Sequence, residues 1–176
     1  MDPVNAARFE ALAPDVIDAV RRYLARRTDP ATADDVLSET LLICWRRIGE
    51  IPDEHLPWAY GVARNCLANA ERAHRRRRRL AARIAALDPP TAVADAPAVP
   101  DDDLDAALSR LRTEDAELLR LWAWEDLTPA QIAVVLSVSA NAVSIRLHRA
   151  KQKLRDELRK TGTPAGHEQP GEGRRP

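Results

Sequence analysis

Apolar residues recur every three to four positions along most of the chain and almost nowhere alternate with polar ones, which predicts helices throughout. The first helical pattern runs from about Pro14, suited to the N1 position, to Arg27, with Val16, Ile17, Val20 and Leu24 on one face. Thr28, Asp29 and Pro30 break it. A second helix is predicted from about Ala31 to Ile48, with an apolar stripe of Val36, Leu37, Thr40, Leu41, Cys44, Trp45 and Ile48. Gly49 and Pro52 end it, and Pro57 suits the first turn of a third helix. That helix is expected from Trp58 to at least Arg78, with Leu87 as its outer limit. Its inward face is Ala59, Val62, Ala63, Cys66, Leu67 and Ala70. Residues 88–100 hold four Pro and little to pack, the composition of a flexible linker. Two short helices follow, 102–111 and about 113–125, the latter with Thr113 as N-cap. The tail after Thr161 is rich in Gly and Pro and is expected to be disordered.

Residues 128–158 carry the most specific local pattern. Thr128 can cap a helix, Pro129 fits N1, and Gln131 can close a capping box. Ile132, Val135 and Leu136 give that helix an apolar side. Ser137-Val138-Ser139 is a turn, with Val138 expected to point inward and Ser139 to cap the next helix. The next helix buries Val143, Leu147, Ala150, Leu154 and Leu158, spaced four, three, four and four. Its other face shows Asn141, Ser144, Ile145, His148, Arg149 and Gln152, flanked by Arg146, Lys151, Lys153 and Arg155. One stripe for a core, one of mixed donors for base edges, and flanking cations for phosphates is the division a groove-entering helix needs. The ordinary alternative is an amphipathic helical hairpin with a solvated basic face. His148 has no companion ligands and reads as a surface histidine. Trp122 and Trp124 read as core and interface residues.

Charge changes the picture. The chain has 27 basic and 27 acidic residues, a balance that by itself argues against nucleic acid. The charge is sorted into blocks, however. Residues 1–83 come to +3, 84–105 to −6 with no base, 106–126 to −2, and 127–160 to +5. A basic face acts on phosphates locally, within a Debye length. Cys44 and Cys66 are the only cysteines and form no CxxC pair, which argues against zinc or a disulfide framework. They read as buried reduced thiols, with a redox pair as the alternative. The first residues include Asp2 and Pro3 and no apolar leader, and no run is long and apolar enough to cross a bilayer. A cytoplasmic protein without membrane contact is expected.

On the third helix, Trp58, Gly61, Arg64/Asn65, Ala68/Asn69, Arg72 and Arg75/Arg76 share the face opposite the core stripe. An aromatic ring, amides and arginines in that order make a track for single-stranded nucleic acid, where rings stack and cations hold the backbone. A solvated helix face is the ordinary reading, as it is for the run 75–79, whose alternative is an arm on phosphates.

The combination resembles a known family. Residues 34–46 (DDVLSETLLICWR) look like the region 2 helix of the extracytoplasmic-function (ECF) sigma factors, and 57–65 (PWAYGVARN) like the helix that follows it. Residues 127–133 (LTPAQIA) and 143–150 (VSIRLHRA) resemble region 4. The resemblance implies an all-α protein of two small helical domains joined by a flexible linker. Region 2 would span 8–80, an acidic Pro/Ala-rich linker 81–101, region 4 102–158, and the tail 161–176.

The resemblance also implies a mechanism without catalytic residues, cofactor or metal, in a protein that is not an enzyme. Asp35, Ser38, Glu39, Leu42 and Arg46 would dock on the clamp helices of the largest subunit of core RNA polymerase, with region 4 meeting the flap. The loop 49–55, with Asp53 and His55, would capture a flipped base of the −10 promoter element. Trp58, Arg64, Asn65, Asn69 and Arg72 would hold the melted strand. Asn141, Ser144, Ile145, Arg146, His148, Arg149 and Lys151 would read the −35 element as duplex. The acidic linker would thread the RNA exit path, and an anti-sigma factor is the expected inhibitory partner.

Four positions depart from the family pattern. Ser38 stands where Gln is usual, Ser137 replaces a common turn Gly, and Ser144-Ile145 replace a long cation followed by Ser. Losing that cation removes a bidentate guanine contact worth about 1–3 kcal/mol of discrimination. The alternative function is a stand-alone helix-turn-helix regulator of duplex operator DNA. The absence of a Gly-rich phosphate loop or nucleophile motif leaves an enzymatic reading little support.

Overall fold

The structure is a computed structural model that describes residues 3–85 and 103–161. Within them the chain forms helices α1 (Pro3–Ala25), α2 (Pro30–Arg46), α3 (His55–Ala85), α4 (Asp103–Arg110), α5 (Thr113–Ala123), α6 (Pro129–Leu136) and α7 (Ala140–Thr161), with a 3-10 turn at Ile48–Glu50. Helices α1, α2 and α3 pack on one another, and α4, α5 and α6 pack on α7. A direct contact between α3 and α6 joins the two groups. No single described helix is long and apolar enough to cross a membrane. The linker expectation for 86–101 and the tail expectation after Thr161 lie outside the described residues.

Helix α1 corrects the sequence reading. It begins roughly three turns before Pro14, which lies inside the helix rather than at N1. Proline there removes one backbone hydrogen bond. Packing of the extra turns outweighs this: Phe9 sets its ring edge-on to Trp45 at 5.0 Å, Leu12 is buried, and Arg8 donates to the carbonyls of Ile48 and Ile51. The buried stripe then continues through Val16, Ala19, Val20, Tyr23 and Leu24.

Helix α2 starts where the local chemistry demands. The Asp29 carboxylate accepts from Thr32 N at 3.0 Å and Pro30 opens the first turn. That bond holds the Asp29 carboxyl below its ordinary range. Val36, Leu37, Thr40 and Cys44 face inward, and the buried Thr40 hydroxyl donates to Val36 O at 2.7 Å. On α3 the buried face is Ala59, Tyr60, Ala63, Cys66 and Leu67; Val62 and Ala70 are only half-buried. The helix is 31 residues long, about 46 Å, and from residue 74 onward every described side chain is exposed.

At α5 the N-cap is Arg112, not Thr113. Asp115 N and Ala116 N both donate to Arg112 O, which places Thr113 already inside the helix. No side chain caps this end; Glu114 and Asp115 in the first turn offset the helix dipole instead.

Candidate nucleic-acid interface

The helix-turn-helix is built by its caps. Thr128 Oγ1 accepts from Gln131 N at 3.3 Å, and Gln131 Oε1 accepts from Thr128 N at 2.9 Å, closing the capping box with Pro129 at N1. Ser137 ends α6 in the left-handed region, with φ 54°, and its N–H and that of Val138 satisfy the last carbonyls. Ser139 Oγ then accepts from Ala142 N at 3.2 Å and starts α7. Val138, expected to point inward, is 36% exposed, because the turn lifts it to the mouth of a cavity.

Along α7, Val143, Leu147 and Ala150 are buried and Leu154 and Leu158 half-buried. Asn141, Ser144, Ile145, Arg146, His148 and Arg149 are all exposed, Ile145 at 47%. Several of these groups are already occupied. The Ser144 hydroxyl donates to Ala140 O at 3.0 Å, and His148 Nε2 lies 3.2 Å from Gln152 Nε2. Lys151 is half-buried, its Nζ 3.3 Å from the centroid of the exposed Trp122 ring, and Lys153 pairs with Asp115 at 2.6 Å. Arg146, Arg149 and Arg155 are exposed and have no ion pair among the described residues, which leaves them available to an anionic partner.

The expected single-strand track on α3 is divided. Asn65, Asn69 and Arg72 are exposed, and Arg72 Nη2 donates to Asn69 Oδ1 at 2.5 Å. Trp58 is half-buried under the Arg47 guanidinium, 5.5 Å from the ring centroid. Gly61 instead meets α6: a Cβ there would stand 3.6 Å from Val135 O. Arg64 is half-buried and faces a cavity of about 400 Å³ between the two helix groups, lined also by Arg112, Arg146, Arg149 and Lys153. Residues expected at two separate DNA elements thus line one cavity.

The loop before α3 is pinned by Arg8, whose bonds to the Ile48 and Ile51 carbonyls fix its start. Asp53 is exposed; half-buried His55 places Nδ1 3.3 Å from Asp53 O and Nε2 3.9 Å from Asp15. Arg47 pairs with Glu50, which draws the Glu50 carboxyl below its usual range.

On α2, Asp35, Ser38, Glu39, Leu42 and Arg46 are all exposed, Leu42 at 45%. Leu42 is thus an open apolar side chain among charged neighbours on this face. Ser38 turns its hydroxyl back to Asp34 O at 2.9 Å, so it offers a partner little.

Cys44 and Cys66 are free and buried. Burial pushes the Cys44 thiol up to about 11 and raises Cys66 as well, the setting of inert thiols.

Sequence reasoning missed a cluster between α1 and α5. Arg27 Nε lies 3.1 Å from Glu117 and Nη1 3.1 Å from Glu125, while Tyr23 donates to Glu117 at 3.2 Å. The Arg27 side chain is only 5% exposed. Arginine at a helix C-terminus is common on surfaces, so nothing in the sequence marked it as buried.

A helical bundle followed by a capped helix-turn-helix is the architecture of a sigma-type transcription factor, and the sequence comparisons agree. The sigma-70 region 2 family matches residues 8–80, and the sigma-70 region 4 family matches residues 101–154. The ECF RNA polymerase sigma factor SigL of Mycobacterium tuberculosis is 32% identical over 90% of this chain and 93% of its own length. A probable RNA polymerase sigma factor of Xanthomonas campestris, RfaY, is 32% identical over 77% of this chain, which spans only 36% of that relative. The chain belongs to the ECF RNA polymerase sigma factors. Two solved structures share the fold. The sigma factor RpoE bound to the anti-sigma factor NepR, from Bartonella quintana, has a TM-score of 0.57 and 19% identity over 85% of this chain and 95% of that one. CnrH bound to the cytosolic domain of CnrY gives 0.56 and 20% over 90% and 89%.

Proposed function

We propose that this sigma factor reads its promoter in two forms, the −35 element as duplex through α7 and the −10 element as a melted strand through α3 and the loop before it. The observation that carries the reading is the division of α7. Val143, Leu147 and Ala150 are buried, while Ile145 and the polar side chains of Asn141, Arg146 and Arg149 are exposed. Ile145 meets thymine methyls or excludes water, and Arg146 and Arg149 supply phosphate or guanine contacts. Ser144 and His148 adjust the fit at the edge of that face; Lys151, held on Trp122, contributes charge from the flank.

Within α3, Asn65 and Asn69 present amides to unstacked bases, Arg72 holds the backbone, and Trp58 and Arg64 complete the track once it is open. Asp53 and His55 border the pocket for the flipped base. Unstacking that base costs a few kcal/mol, which polymerase and −35 contacts together must offset. The exposed α2 face docks on the polymerase clamp through Leu42, with Asp35, Glu39 and Arg46 as its charged rim and Ser38 as a weak point. An anti-sigma factor is a further partner, by analogy with the complexes in which RpoE and CnrH were solved.

The test is run-off transcription with purified core polymerase on promoters mapped from transcript 5′ ends after overexpression. A polymerase-dependent transcript that disappears with Asn65→Ala but keeps −35 duplex binding is the expected result. Tight binding of a duplex site with no transcript would instead identify a stand-alone regulator.

A further inference from the structure

The cavity beside the helix-turn-helix holds more positive charge than its own carboxylates neutralise. It measures about 400 Å³ and is walled by the start of α5, the turn after α6 and one edge of α7, with Arg64 contributed by α3. Three carboxylates line it, and two of them are already held. Asp115 lies 2.6 Å from Lys153, and Glu117 lies 3.1 Å from Arg27. Arg64, Arg112, Arg146 and Arg149 have no ion pair among the described residues, which leaves four guanidinium groups against Glu114. Arg146 and Arg149 belong to α7, Arg112 to the junction of α4 and α5, and Arg64 to α3, so the four converge on one space from separate parts of the fold. Convergence of this kind suits a compact anion, because each guanidinium fork can pair with phosphate oxygens in two parallel bonds.

The cavity also has an apolar wall. Leu118 and Val143 are buried, Leu136 is half-buried, and Val138 is 36% exposed at the mouth. Val138, which the turn lifts out of the core, therefore has a surface to offer a ligand. Several hundred cubic ångströms with apolar walls and a few placed charges is the build of a small-molecule site.

We propose that this cavity binds a nucleoside di- or triphosphate, with its phosphates among Arg64, Arg112, Arg146 and Arg149 and its base on the wall of Leu118, Leu136, Val138 and Val143. The phosphate chain supplies the negative charge that the four guanidinium groups lack, and their mutual repulsion falls as it enters. Inorganic phosphate would satisfy the cations but leave the apolar wall bare. Occupancy has a consequence for DNA as well. A guanidinium of Arg146 or Arg149 bonded to a phosphate in the cavity is withdrawn from the −35 duplex, so nucleotide and duplex compete. This competition rests on the promoter reading given above; the nucleotide site does not.

The test is calorimetric titration of the full chain with ATP, GTP, tripolyphosphate and adenosine, at constant ionic strength and without divalent cations. ATP or GTP is expected to bind at one site per chain and more tightly than tripolyphosphate, and adenosine is expected not to bind. Arg112→Gln, with helicity checked by circular dichroism, should weaken nucleotide binding about tenfold through the lost charged hydrogen bonds and leave −35 duplex affinity unchanged. Arg79→Gln, exposed on α3 and outside the cavity, should leave nucleotide affinity unchanged. In duplex titrations, ATP should raise the apparent Kd of the wild-type chain for the −35 element more than sodium sulfate of equal ionic strength does, and less so in Arg112→Gln. No nucleotide binding, or equal losses in the Arg112→Gln and Arg79→Gln chains, would overturn the proposal. Equal affinity for ATP and tripolyphosphate would overturn the nucleoside assignment, and binding without competition would overturn the link to DNA. A chain that binds nucleotide through Arg112 but gives neither duplex binding nor a transcript would overturn the promoter reading and leave the site standing.

Discussion

Gly61 and Val135 approach backbone to backbone, with just enough space for a methyl group between them. The gap sets a size rule for this position. Gly61→Ala should raise stability by up to about 1 kcal/mol, since Ala is the better helix former and its Cβ makes an ordinary contact. Gly61→Leu should push α6 away and separate the helix groups. Denaturant midpoints of the two variants, compared with dye distances between α3 and α7, check both outcomes.

The α6 cap is worth measuring by itself. Thr128→Ala removes the oxygen that accepts from Gln131 N, keeps the backbone N–H that donates to Gln131 Oε1, and should cost about 1 kcal/mol. Gln131→Ala leaves the Thr128 oxygen in place and should cost less. Equal losses in urea titrations would show that the bond from Thr128 N to Gln131 contributes as much as the Thr128 oxygen.

Ser137 pays for its turn geometry with strain at φ 54°. A left-handed L-residue costs roughly 1–2 kcal/mol, and glycine returns part of that through its looser unfolded state. Ser137→Gly should therefore stabilise the protein by about 0.5–1 kcal/mol. Asp126, at φ 52°, should gain less from the same change, because a short polar side chain tolerates that region better. Thermal unfolding of both variants would check the order.

The thiols give a pH test. The native state raises Cys44 from the ordinary 9.0 to about 11, so it binds that proton more tightly than the unfolded chain does. Its contribution to stability is complete below pH 9.0 and is lost as pH rises toward 11. Cys66, Tyr23 and Tyr60 are shifted in the same direction by burial and add to the effect. Urea midpoints should fall across that alkaline window, and alkylation by iodoacetamide at neutral pH should be negligible until the protein unfolds.

Arg149→Ala should weaken promoter duplex binding and reduce the magnitude of the salt slope by about one, the signature of a lost phosphate contact. An unchanged slope with altered base preference would assign the residue to a base edge.

Helix positions and the turn chemistry were legible in the sequence because they are set within four or five residues. Thr128 with Gln131 and the inward stripe of α7 are both local relationships; the Asp29 cap on Thr32 is as local, but Asp29 reads in the sequence only as part of the break before α2. Pro14 misled for the same reason. Its local preference for a helix start was overridden by contacts of Arg8 and Phe9 with residues some forty positions away and by the burial of Leu12. Thr113 was misplaced by one residue because a backbone carbonyl, not a side chain, holds that helix end. At the site, the exposed residues on α7 could be read from periodicity, and those on α2 came with the family resemblance. What could not be read was that Arg64 and Gly61 would face the other helix group, since no spacing within α3 encodes the position of α6.

The Arg27 cluster also has consequences for how such chains diverge. A lineage that loses Arg27 leaves Glu117 with the Tyr23 hydroxyl and Glu125 with Arg26 as its remaining partner, and one that loses both acids leaves a buried guanidinium without its carboxylates; neither change is neutral. These three positions are expected to change together or not at all. Among relatives, joint replacement at 27, 117 and 125 would mark the sigma factors that join these helices by other contacts, and could be read from an alignment before any of them is purified.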